Sequence, residues 1–183
     1  MLELGGDSGA VALTLGVMVA VASGLLVPAG IAKLRAPAVA REALGLPIGA
    51  ERLVRLLGAG ELALAAVVLT TGAGPAVALL AVTYLAFTGV ALRQRSRGES
   101  CGCFGASDTP TGWHHVIVDA AAAAAAGAAV LVGVPSAVTL IAGGPLAGVP
   151  TLVAGLVAVA AVQVVITALP DLATARRAAG GAS

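Results

Sequence analysis

The sequence predicts an all-α integral membrane protein, a four-helix transmembrane bundle followed by a fifth C-terminal transmembrane helix. Three observations predict it. Of the 183 residues, 59% are hydrophobic and only 10% are charged, against about 45–50% and about 25% in soluble domains. The apolar residues gather into five runs of the roughly 20 residues that cross a bilayer. The bulk of them is Ala, Val, Leu and Gly, the small residues that let helices pack closely in lipid. The same arithmetic excludes a disordered chain, which needs high net charge. It also excludes a nucleic-acid binder, which needs a basic surface, because the net charge is only +1.

The expected spans are residues 10–31, 53–71, 75–92, 116–134 and 151–169. Backbone groups in lipid must bond internally, so runs of this length are read as helices. The N-terminus has Glu3 and Asp7 but no cation. It therefore does not read as a secretory signal, and the first span is expected to stay in the mature protein. Gly72-Ala73-Gly74 reads as a tight turn. Residues 32–52 and 93–115 read as polar loops, and residues 135–150 as an apolar connection broken by proline and glycine. The alanine run 120–126 reads as a close-packed helix face.

Charge placement predicts topology. Lys33, Arg35, Arg41, Arg52 and Arg55 lie in or beside the first connection, Arg93, Arg95 and Arg97 in the third, and Arg176 and Arg177 in the tail; together they are all ten cations. With five spans these segments share one side. The positive-inside rule makes that side cytoplasmic and the N-terminus external, in a multi-pass protein of the cell membrane.

The sharpest local feature is Cys101-Gly102-Cys103-Phe104-Gly105. Two residues of extended chain cover about 6.6–7.2 Å, while disulfide Cα atoms lie about 4.4–6.8 Å apart. A bridge across one residue therefore needs a bent backbone, which Gly102 permits. Such a ring is strained, and strained disulfides are the exchange-active ones. Arg93, Arg95 and Arg97 precede the pair, and Thr109-Pro110 reads as a helix start. Cations and helix N-termini both favour thiolate. Cys101 and Cys103 are the candidate catalytic residues. Two other readings stay open: ordinary loop cysteines, or a zinc ligand set with His114 and His115. That set has no usual finger spacing, and no resident metal is expected. The histidines are placed instead at headgroup level beside Trp113, an interfacial anchor.

Ionisable residues inside spans are costly and point to function. Glu61 lies near the middle of the second span. It could relay a proton, hydrogen-bond a membrane quinone, or serve as structural partner to Lys33, Thr83 or Tyr84. Asp119, one turn into the fourth span, reads either as a site residue or as a near-interface acid paired with an arginine. Lys33 ends the first span, where its plain reading is snorkelling toward the headgroups. Lys33, Glu61 and Asp119 form the candidate polar or cofactor site, with a quinone as the one cofactor considered.

These residues resemble a known family. Gly30-Ile31-Ala32-Lys33-Leu34 resembles an Ala-x-x-Lys-Leu signature at the end of a first helix. Gly60-Glu61-Leu62-Ala63-Leu64 resembles a Gly-x-x-Glu-type second helix, and Cys101-Gly102-Cys103-Phe104-Gly105 follows a basic third-helix end. The set is similar to the methylamine-utilisation MauE family of DoxX-like membrane proteins, over residues 10–134. Residues 135–183 then add the apolar connection, the fifth helix and the short basic tail. The chain departs from the pattern at Val118-Asp119, where relatives often carry Arg-Asn after a tryptophan; Asp119 keeps a polar group there. The resemblance implies disulfide handling with a thioredoxin-like partner during maturation of exported proteins. Carried over by position, Cys101 and Cys103 are the redox pair and Lys33 and Glu61 supporting polar residues.

The expected function is membrane thiol–disulfide oxidoreductase, in either electron direction. The alternatives are a metal or small-solute carrier, and a non-catalytic scaffold. The expected partners are a thioredoxin-like protein and the bilayer, with self-association through small-residue helix faces compatible with the composition.

Overall fold

A computed structural model describes residues 6–98, 111–142 and 153–164. The described elements are α1 (Gly6–Arg35), α2 (Pro37–Ala43), α3 (Glu51–Thr71), α4 (Gly74–Arg97), α5 (Trp113–Val132), α6 (Ala137–Ala142) and α7 (Val153–Val164). Every described element is helical, as lipid demands of a chain that must bond its own backbone. α1, α3, α4 and α5 are each long and apolar enough to cross a membrane. They correspond to the first four expected spans. α7 falls within the fifth, but by itself it is shorter than the roughly 20 residues a crossing takes. A fifth span is therefore not confirmed by the described residues.

The four long helices form a ring in which α1 packs on α3 and α5, and α4 packs on α5 and α3. Gly72 and Ala73 join α3 to α4. Gly72 has φ +60, and a Cβ there would meet the Ser136 backbone nitrogen at 2.9 Å, so only glycine fits the turn. The core is made of Val19, Ala22 and Leu26 on α1, Leu64, Ala65 and Val68 on α3, Val77, Leu80 and Tyr84 on α4, and Ala123, Ala126 and Ala129 on α5. The alanine run does turn one small-residue face inward. The outward faces carry Leu56, Leu79, Val82, Leu85, Ile117 and Leu131, all exposed. Large aliphatics on the outward faces, with alanines among the core residues, suit a bundle solvated by acyl chains rather than water.

Two connections differ from the sequence expectation. α1 runs on to Arg35, and Pro37 then opens the short helix α2, so residues 32–52 are not simply a loop. Proline at the first helical position has no amide to leave unpaired, which makes it a good helix start. The connection after α5 includes the short helix α6, started by Ser136, whose hydroxyl accepts a hydrogen bond from the Thr139 amide.

Candidate functional site

The site begins with two glycines. A Cβ on Gly30 of α1 would meet the Gly58 carbonyl at 2.7 Å, and a Cβ on Gly58 of α3 would meet the Gly30 carbonyl at 2.8 Å. The two backbones therefore touch at this crossing. One turn further along each helix stand Lys33 and Glu61. Lys33 Nζ lies 2.9 Å from each Glu61 carboxylate oxygen and donates its hydrogen bond to Oε2. It also reaches the Ala29 carbonyl at 3.5 Å. The two residues are 2% and 3% exposed. A lone buried charge would be prohibitive; a paired and hydrogen-bonded one is tolerated.

α4 supplies the floor. The Phe87 ring centroid is 5.4 Å from Lys33 Nζ, a cation–π distance. Tyr84 meets Phe87 edge to face, with centroids 5.7 Å apart and planes at 81°. The Tyr84 hydroxyl donates to the Ala22 carbonyl of α1 at 2.6 Å. α5 contributes Asp119, half-buried, which interacts electrostatically with Lys33 and, like Glu61, with Tyr84. α1, α3 and α4 thus each send one polar side chain to the same interior region.

Several expectations are sharpened or corrected here. Of the three partners considered for Glu61, Lys33 is the one realised; Thr83 bonds back to Leu79 of its own helix and Tyr84 bonds Ala22. Lys33 is buried and paired with Glu61, because the glycine crossing draws α3 near enough for the two to meet. Asp119 has no arginine ion pair among the described residues. Phe87 is a site residue that the sequence does not single out, although two of the chain's four aromatics, at positions 84 and 87, stand one helical turn apart.

A second cluster lies where α2, the start of α3, the end of α4 and the start of α5 meet. The Gln94 side-chain amide donates to the Ala43 carbonyl at 2.7 Å, linking α4 to α2. Arg41 pairs with Glu51 at 3.1 Å. The Arg95 guanidinium lies 4.2 Å over the Trp113 ring, joining α4 to α5. All the described arginines stand on helix termini or on α2 at this end. His114 and His115 follow Trp113 with rings 4.4 Å apart. No group of three or more potential metal ligands occurs among the described residues. α5 begins at Trp113 with Gly112 as its N-cap, so the expected start at Thr109-Pro110 is corrected. Cys101 and Cys103 lie outside the described residues.

Fold and site together define a multi-pass membrane protein, helical throughout its described elements, with a buried ion pair between its first two spanning helices. The family model described as "Methylamine utilisation protein MauE" matches residues 10–133, about two thirds of the chain and all four spanning helices. The chain belongs to the MauE family. Neither the curated proteins nor the solved structures contain a match to it.

Proposed function

We propose that the chain is a membrane thiol–disulfide oxidoreductase whose working pair is Cys101 and Cys103, serving maturation of exported proteins in methylamine utilisation. The supporting observation is what flanks the segment that carries the pair. α4 and α5 flank the segment that carries both cysteines, pack along one another and are joined by Arg95 on Trp113, among several arginines. Arginines near a cysteine favour its thiolate.

Exchange then proceeds in two steps. The thiolate of one cysteine attacks a partner disulfide, forming a mixed disulfide and releasing one partner thiolate. The second cysteine attacks the mixed disulfide, closes the Cys101–Cys103 bond and releases the reduced partner. Two electrons pass from the pair to the partner, and the reverse sequence returns them. A thioredoxin-like protein has the required chemistry. A membrane quinone would take two electrons and two protons from the reduced pair to become quinol. Lys33, Glu61 and Asp119 serve as polar support within the bundle. The same reading places the arginine-rich end and the cysteines on the cytoplasmic face and the N-terminus outside.

Cys101→Ser and Cys103→Ser variants test the proposal. One of them should trap a partner as a mixed disulfide that a reductant releases, and both should abolish function in methylamine utilisation. Full function in both serine variants, with no trapped partner, would sink it.

A further inference from the structure

The start of α3 carries positive charge to which the fold gives no counter-ion. The 21 residues of α3 are about the length of one bilayer crossing. Arg52 therefore stands at the boundary of the span, and Arg55 about 4.5 Å further in along the axis. Arg35 closes α1 next to Leu34, which lies against Gly58, one turn beyond Arg55. The three arginines thus stand at neighbouring depths on the paired helices α1 and α3, and all three are exposed. Other guanidinium groups at this end are held by the protein itself. Arg41 pairs with Glu51, Arg95 lies on the Trp113 ring, and Arg93 reaches within 3.2 Å of where a Gly45 Cβ would stand. Arg35, Arg52 and Arg55 have no ion pair among the described residues. Of the carboxyl groups on α2 and α3, Glu51 is taken by Arg41, Glu61 by Lys33, and Glu42 makes no ion pair. The helix dipole disfavours cations in a first turn, and the cap residue Ala50 offers no side chain to offset it. Leu53 and Leu56, on the same two turns, are 57% and 70% exposed, while the buried stripe of Val54, Gly58 and Glu61 faces the bundle.

We infer that Arg52 and Arg55, together with Arg35, bind the phosphate of an anionic phospholipid whose acyl chain lies along Leu53 and Leu56. Guanidinium groups fork onto phosphate oxygens with paired, charge-assisted hydrogen bonds. Basic groups at the ends of spanning helices are a known means of holding anionic headgroups. A zwitterionic lipid carries its own ammonium beside the phosphate and leaves the arginines uncompensated. A soluble phosphate would make no use of the aliphatic surface on the same turns. The site stands independently of any cysteine chemistry.

Native mass spectrometry tests this, on the full-length protein released from nanodiscs of equal phosphatidylglycerol and phosphatidylcholine. The wild type should retain phosphatidylglycerol in preference to phosphatidylcholine. Arg52→Gln and Arg55→Gln should each lower that preference about fivefold, the weight of one basic residue at an anionic membrane surface. Arg95→Gln removes the same charge from α4, where Trp113 holds the guanidinium, and should leave the preference nearly unchanged. No preference in the wild type, or equal losses in all three variants, overturns the inference. So does displacement of the bound lipid by excess glycerol phosphate, which would assign the arginines to a soluble anion. Circular dichroism checks that each variant folds, and the two wild-type measurements stand without any variant. A Cys101→Ser/Cys103→Ser double variant should keep the preference, so failure of the thiol reading and failure of this one are separately visible.

Discussion

Gly30 and Gly58 pass so closely that neither can carry a side chain without displacing the other's backbone. Each stands three residues before one member of the Lys33–Glu61 pair, so a single helix crossing sets both the α1–α3 distance and the reach of the ion pair. Close approach through small residues is the usual means of helix association where water exclusion contributes nothing. Here it also brings two charges within bonding distance inside the bundle.

Gly58→Ala should therefore separate α1 from α3 and lengthen the Lys33–Glu61 contact, at a cost of about 1–3 kcal/mol, the range for overpacking. Gly60, two residues on, has nothing within 4 Å of where its Cβ would stand. Gly60→Ala should be neutral or stabilising by about 0.5–1 kcal/mol, because alanine is the better helix former. Thermal unfolding in detergent compares the two. Equal effects of Gly58→Ala and Gly60→Ala would contradict the contact.

The ion pair should behave as a unit. Lys33→Met leaves Glu61 without its partner, and removal of one member of a buried pair costs about 3–5 kcal/mol. The double variant Lys33→Met/Glu61→Gln leaves no charge between α1 and α3, and should recover most of that loss. A double-mutant cycle on unfolding midpoints measures the coupling directly. Additive losses would show that the two side chains do not depend on each other.

Tyr84 ties α4 to α1 through its bond to the Ala22 carbonyl, while its ring packs against Phe87. Tyr84→Phe keeps the ring and deletes only the hydroxyl. The expected cost is about 1 kcal/mol, in the range measured for interhelical hydrogen bonds in membranes. Tyr84→Ala also removes the ring that packs against Phe87 and should cost about 3–5 kcal/mol. Similar unfolding midpoints for the two variants would assign no separate weight to the ring.

The spanning helices are legible in the sequence because a bilayer crossing leaves a long apolar run, whereas a helix on the surface of a water-soluble protein is apolar along one face only. The ion pair is half legible. Lys33 is the chain's one lysine and Glu61 the one acid near the middle of a span, so they are natural partners. What brings them together, the Gly30–Gly58 crossing, depends on how two helices rotate against each other, and a sequence of many glycines does not mark which pair touches. α2 leaves little trace, because a seven-residue helix (Pro37–Ala43) lacks a long periodic pattern. The start of α5 differs from expectation because proline marks where a helix is allowed to begin, whereas Gly112 caps it two residues later. Phe87 acts through its contact with a residue on another helix, which no local signal reports.

Topology is open to a direct measurement at two positions. Ile48 lies between α2 and α3 at the arginine-rich end, and it is 91% exposed. Ala73 is exposed in the turn between α3 and α4. α3 joins these two connections and spans the bilayer by length and composition, so the positions should lie on opposite sides of the membrane. In a background with both native cysteines replaced by serine, Ile48→Cys should react with a membrane-impermeant maleimide only from the cytoplasmic side, and Ala73→Cys only from outside. The cation bias sets that orientation, since Lys and Arg are held preferentially on the cytoplasmic face. Reaction of Ile48→Cys from outside alone would invert the orientation and place the native cysteines on the external face, where exported proteins fold. Reaction of both positions from one side would remove α3 from the set of spanning helices.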